Sequence, residues 1–162
     1  MGTNFYLCHI PTVKEHIEMQ ELLAKKQYET LKNKIEESTR EYHIGKRSCG
    51  WQFLFEAGIG ENLESGEYMH YGYTKNPWCN NLESLKEWLS KSEYIIKNEY
   101  GDIFTSEQFW NEINEYLYNN SEKYINGKQH YEICRKRGEW CCVDHKEFTS
   151  SDGLRFTMSE FC

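Results

Sequence analysis

No stretch of the chain approaches the apolar length of a membrane span, and the opening residues lack a basic leader followed by an apolar run. These absences set the expectation of a cytoplasmic protein that does not insert in a membrane. Gly2 invites a myristoylation reading, but Tyr6 stands where that signal needs Ser or Thr. Leu, Ile and Val are sparse, which argues against the core of a helical bundle. A basic excess is also missing: 26 acidic residues against 19 basic ones leave a net charge of -7. Broad attraction to phosphate backbones needs clustered cations, so direct nucleic-acid binding is not expected. Internal repeats, low-complexity linkers and shifts of composition are absent, and 162 residues suit one compact domain, 1–162.

What the chain does have is rings. Twelve Tyr, eight Phe and five Trp make 15% of residues aromatic in a chain only 38% hydrophobic. Aromatic side chains bury large area and carry polar handles, so a ring-built core is expected, and a sheet suits it better than a bundle. Thr3 to His9 alternates like a strand. From Thr12 to Ser38, Val13, Ile17, Ala24, Tyr28, Leu31 and Ile35 recur at helical spacing. Thr12 and Glu15 have capping-box spacing, so one long first helix is expected, used in core packing or in contact with a second chain.

Glu41–Arg47 and Trp51–Ala57 read as strands joined at Ser48-Cys49-Gly50. A long aromatic loop follows, from Gly58 to Asn80. Asn81 caps a helix over Leu82–Ser90, Tyr94–Thr105 reads as a hairpin, and Thr105 with Gln108 opens a third helix through Phe109 and Ile113. The last third shows no helical stripe and offers Tyr131–Arg135, Trp140–His145 and Leu154–Met158 as short strands. Helices and antiparallel strands mixed without βαβ alternation predict a single α+β domain, with a mainly antiparallel sheet and about three helices, the longest near the N-terminus.

The chemistry concentrates in His43 to Phe55. If the strand is regular, alternation sends His43, Gly45 and Arg47 to one face and Ile44 and Lys46 to the other. Lys46 or Arg47 can hold a phosphate, Ser48 adds a hydroxyl, and Trp51 can stack on a base. The phosphate-loop spacing is absent, so no nucleoside triphosphatase is implied. The bland alternative is a hairpin with a core Trp and exposed cations. Tyr73 and Trp78 in the long loop can close over a planar ligand or simply pin the loop to the sheet, and Arg155 is a further isolated cation.

Metal ligation is not expected. Cys134, Cys141, Cys142 and His145 lie within twelve residues but lack paired Cys-x-x-Cys units. The seven cysteines, an odd number, read as reduced thiols. No spacing supports a nucleophile with its base, and no cofactor motif is present.

The opening Met1-Gly2-Thr3-Asn4-Phe5-Tyr6-Leu7, the stretch His43-Ile44-Gly45-Lys46 with Ser48, Gly50 and Trp51, then Glu99-Tyr100-Gly101 and Glu160-Phe161 together resemble a group of small phage and prophage proteins. Those begin Met-Gly-Thr-Asn-Tyr-Tyr-Leu. Members often carry a Cys-x-x-Cys pair before the His-Ile-Gly-Lys stretch, where this chain has its first helix. The resemblance implies a phage accessory protein acting in the cytoplasm of the infected bacterial host, and brings no established activity. By analogy, the expectation is a non-enzymatic counter-defence protein that sequesters a small phosphorylated nucleotide signal through His43, Lys46, Arg47, Ser48, Trp51, Tyr73, Trp78 and Arg155. The alternatives are a protein-interaction inhibitor that occludes a host defence factor and a hydrolase of the signal. A homo-oligomer is among the expectations, because such pockets can form between copies.

Overall fold

A computed structural model describes residues 2–57, 76–78, 81–117, 124–139 and 147–157. The fold is α+β. The strand β1 (Gly2–His9) is central and pairs antiparallel with β2 (Glu41–Ser48) on one side and with β4 (Tyr94–Asn98) on the other. The short β5 (Ile103–Phe104) follows β4 at that edge. Beyond β2 come β3 (Leu54–Glu56), then β7 (Arg155–Thr157) parallel to it, then β6 (Glu147–Thr149) antiparallel to β7. The described sheet thus has seven strands in the order β5-β4-β1-β2-β3-β7-β6.

Its core is built from rings, as the composition predicts. Phe5, Phe53, Phe55, Phe109 and Phe156 are fully buried, and Phe5 alone meets Phe53, Phe104 and Phe109 at centroid distances of 5.4 to 6.0 Å. Such pairs each contribute about 0.5–1.5 kcal/mol beyond their buried area. Two helices close this face: α3 (Leu82–Leu89) inserts Leu85 and Leu89, and α4 (Ser106–Ile113) inserts Phe109 and Ile113. Both start where their caps predict. The Asn81 side chain accepts from the Ser84 N–H, and Thr105 and Gln108 form a reciprocal box.

The long first helix is two helices. The first, α1 (Val13–Ala24), starts at the Thr12–Glu15 box; the chain then turns and resumes as α2 (Tyr28–Ser38). Lys26 takes the left-handed conformation at φ 55°. Its N–H donates to the Leu23 carbonyl, and the Gln27 N–H donates to that of Leu22. This is the Schellman closure, which usually carries Gly at the left-handed position. With Lys there, the hydrophobic period runs across the break without a signal. The expectation of a strand at Tyr131–Arg135 is also corrected, because α5 (Gly127–Arg137) occupies it. Its ends are written in sequence, as an Asn126–Gln129 capping box and a Gly138 closure at φ 66°. Its stripe is not, since only Gly127 and Cys134 are buried. The described residues therefore hold five α-helices rather than about three, with the twelve-residue α1 the longest. The expected strand at Trp140–His145 lies outside the described residues; the one expected at Leu154–Met158 forms as β7, and β6 was not foreseen.

Strand β2 departs from regular alternation. Tyr6 opposes His43 and Phe5 opposes Gly45, so Ile44 is an extra residue, a β-bulge. Ile44 turns into the core, Gly45 stays on the core face opposite Phe5, and every later side chain changes face. His43 and Lys46 therefore share one face, and Arg47 faces the helices. Gly45 is needed there: a Cβ would lie 2.5 Å from both the Leu54 carbonyl oxygen and Phe53 Cε1. Replacing Gly45→Ala is expected to destabilise the protein by about 1–3 kcal/mol through overpacking. Urea unfolding would read this as a lowered midpoint, and an unchanged midpoint would show that Phe53 gives way freely.

Candidate functional site

The sheet face opposite α3 and α4 is polar, and the bulge determines what stands on it. Near its centre, His43 Nδ1 pairs with Glu56 Oε2, and its ring stacks on Tyr6 at 5.0 Å and 25°. Glu56 is buried, and the imidazole is the polar neighbour of its carboxyl group. Tyr6 has its phenol pushed up by burial and then by Glu99, Glu41 and Glu56. This part of the face is acidic. Nearby Cys8 is buried beside the Lys97–Glu41 pair, and its thiol is pushed up to about 11, by burial first and then by Glu41. Thiolate chemistry at neutral pH is thereby suppressed.

Toward β7 the character changes. Lys46, Ser48, Trp51, Gln52, Leu54 and Arg155 line a cleft of about 150 Å³. Register explains the gathering. Lys46 opposes Leu54 across β2 and β3, and Leu54 opposes Arg155 across β3 and β7, so their side chains rise from one face. Gly2 opposes Ser48, and a Cβ on it would stand 2.7 Å from Lys46 Cε and 2.8 Å from Ser48 Oγ. The missing side chain leaves that space to the lysine and the hydroxyl.

Arg155 is held rather than loose. Glu147 accepts from Nε at 2.8 Å and from Nη2 at 2.7 Å, and the Gln52 carbonyl accepts from Nη1 at 3.3 Å. Its guanidinium lies 5.0 Å from the Trp51 ring centroid. His130 of α5 meets the same indole at 4.8 Å. Gln52 ties the cleft to the body of the protein, its amide donating to the Leu117 and Gly153 carbonyls and its backbone N–H to that of Ile125. The cleft thus combines an ammonium, a hydroxyl and an indole braced by an ion-paired guanidinium. Such a set suits an oxyanion with a flat or apolar neighbour.

The chain matches no family model, no curated protein and no solved structure. Among the described residues, no group of His, Cys, Asp and Glu has the geometry to hold a metal ion, and no helix is long and apolar enough to cross a membrane.

Four of the eight residues named from sequence, Lys46, Ser48, Trp51 and Arg155, meet in the cleft. His43 shares the face but does not line the cleft. Arg47 is on the other face, paired with Glu112 and 5.5 Å from the Tyr116 ring centroid. Trp78 is wholly buried and donates to the Glu56 carbonyl at 2.7 Å, beside Asn76, which donates to the His43 carbonyl at 2.8 Å. These two pin the end of the loop. Tyr73, and with it most of that loop, lies outside the described residues. Sequence reasoning missed Glu147, Gln52 and His130. Only register reveals them, because Glu147 reaches Arg155 across a hairpin and His130 sits on a helix without an apolar stripe.

The two arginine pairs should differ in what they contribute. Breaking the pair in which Arg155 is buried leaves a desolvated charge, whereas Arg47–Glu112 is partly exposed. Glu147→Ala is expected to cost about 3 kcal/mol, and Glu112→Ala less than about 1 kcal/mol. Denaturant unfolding of the two variants checks this, and equal small losses would mean that Arg155 is solvated.

Proposed function

We propose that this protein is a binding protein without catalytic chemistry, which holds a small phosphorylated nucleotide-type molecule by its phosphoryl end in the Lys46–Ser48–Trp51 cleft. The observation that carries this reading is the convergence of Lys46, Ser48, Trp51 and Arg155 on one cleft in a chain of net charge -7. An ammonium and a hydroxyl give charge-assisted hydrogen bonds to an oxyanion, and the indole supplies a surface for a ring. A cleft of about 150 Å³ is smaller than the 300 Å³ or more usual for a whole drug-sized ligand, so the phosphoryl group and its nearest ring enter and the rest stays outside. Arg155, already neutralised by Glu147, acts by bracing Trp51 rather than as the main phosphate ligand.

With the resemblance to small phage proteins as its support, we propose that such binding serves counter-defence: a phage accessory protein, working in the infected cell's cytoplasm, lowers the free concentration of a nucleotide immune signal. Sequestration needs tight binding and an unchanged ligand.

Calorimetric titration of the folded protein with cyclic and ADP-ribose-type nucleotides tests this. The expected result is binding at micromolar concentration or below, ligand recovered with unchanged mass, and a loss of about 1.5–3 kcal/mol on Lys46→Ala. Absence of binding by every such nucleotide would sink the proposal, and recovery of altered ligand would replace sequestration with catalysis.

A further inference from the structure

On the β4 side the sheet ends in an open edge. Among the described residues β5 pairs with β4, and no strand lies beyond it. The ladder shows which backbone groups face outward. The Asn98 N–H donates to the Asp102 carbonyl at 3.0 Å, so Asn98–Asp102 and Ile96–Phe104 are the hydrogen-bonded pairs and Lys97–Ile103, between them, is not. The N–H and carbonyl of Ile103 therefore point away from β4. At Thr105 the chain turns into α4, and both backbone groups are used there, the N–H donating to Gln108 and the carbonyl accepting from Phe109.

The surroundings of this edge suit a guest strand. Tyr100 and Ile103 are 67% and 66% exposed, and tyrosine is among the residues that anchor protein contacts. A groove of about 450 Å³ runs between β5 and α4, lined by Ile103, Phe104, Gln108, Asn111 and Glu112. A strand laid along β5 sends alternate side chains toward that groove. In strand addition, main-chain hydrogen bonds give the affinity and the pockets for alternate side chains give the choice of sequence.

Charge states which sequence. From Asn98 to Leu117 the chain has Glu99, Asp102, Glu107, Glu112 and Glu115 and no lysine or arginine, so this stretch carries -5 of the net -7. Glu112 is paired with Arg47, and the neighbouring Lys97 with Glu41. Glu99 and Asp102 accept from the Asn4 and Asn98 amides, and neither they nor Glu107 has a cation at ion-pair distance among the described residues. An acidic strand is repelled at this edge and an uncharged one gains nothing from its carboxylates, whereas a strand with Lys or Arg at alternate positions is attracted. We infer that the β5 edge, with the groove beside α4, is a docking site for an extended basic segment of a partner protein, which joins the sheet as a further strand.

NMR titration of the nitrogen-labelled full chain with the blocked peptide Lys-Val-Lys-Val-Lys tests the inference. Saturable shifts below about 1 mM peptide should be confined to Tyr100–Thr105 and α4. The same peptide methylated on its internal backbone nitrogens keeps its charges but loses its main-chain donors, and it should bind about tenfold more weakly. Ile103→Pro removes the outward N–H without touching the β4 ladder, and should weaken the unmodified peptide to a similar degree with an unchanged circular dichroism spectrum. Absence of shifts, shifts centred elsewhere, equal binding of the methylated peptide or of Glu-Val-Glu-Val-Glu, or undiminished binding by the variant would overturn it. If the variant fails to fold, the methylated peptide on wild-type protein decides.

Discussion

One extra residue in β2 determines the chemistry of both faces of this sheet. Where β1 passes from Tyr6 to Phe5, β2 passes from His43 to Gly45, and Ile44 is accommodated by turning into the core. A one-residue offset in a strand exchanges its faces. Without it, Lys46 would face the helices and Arg47 would take its place beside Leu54. The bulge is held from both sides, by the fully buried Ile44 packed in the aromatic core and by Gly45, which leaves no room for a side chain under Phe53.

Several features of the polar face follow from that offset. Lys46 joins Leu54 and Arg155 along one row, which gathers the cleft, while His43 rises beside Tyr6 and against Glu56. The face is consequently divided between an acidic patch around Tyr6 and a cleft lined by Lys46 and Arg155. On the proposed reading, an anion is disfavoured at the first and accepted at the second, which is how a chain of net charge -7 would offer a phosphate site. The Glu147–Arg155 pair beneath Trp51 keeps the indole in place, and pairs of this kind fix geometry more dependably than they add stability.

Much of the fold was legible in the sequence wherever local signals and packing agreed. The aromatic core, the Asn81 and Thr105 caps, and the hairpin at Tyr94–Thr105 all follow from residue type and spacing. The failures have particular causes. Lys26 closes α1 in a conformation that usually marks itself with Gly, so two helices read as one. Helix α5 announces its ends but buries too little to show a stripe, so it reads as a strand. The site was legible as a set of residue types, and Lys46, Ser48, Trp51 and Arg155 do converge. Which cation faced the cleft was not, because a bulge is a property of pairing between strands and leaves no mark on the period of one.

The chemistry of both sheet faces depends on that register. In isotope-labelled protein, nuclear Overhauser contacts across β1 and β2 measure it directly. Pairing of Tyr6 with His43 and of Phe5 with Gly45, with Ile44 unpaired and contacting core rings, is the predicted result. Contacts from Phe5 to Ile44 and from Asn4 to Gly45 in an unbroken ladder would contradict it, and would move Lys46 out of the cleft.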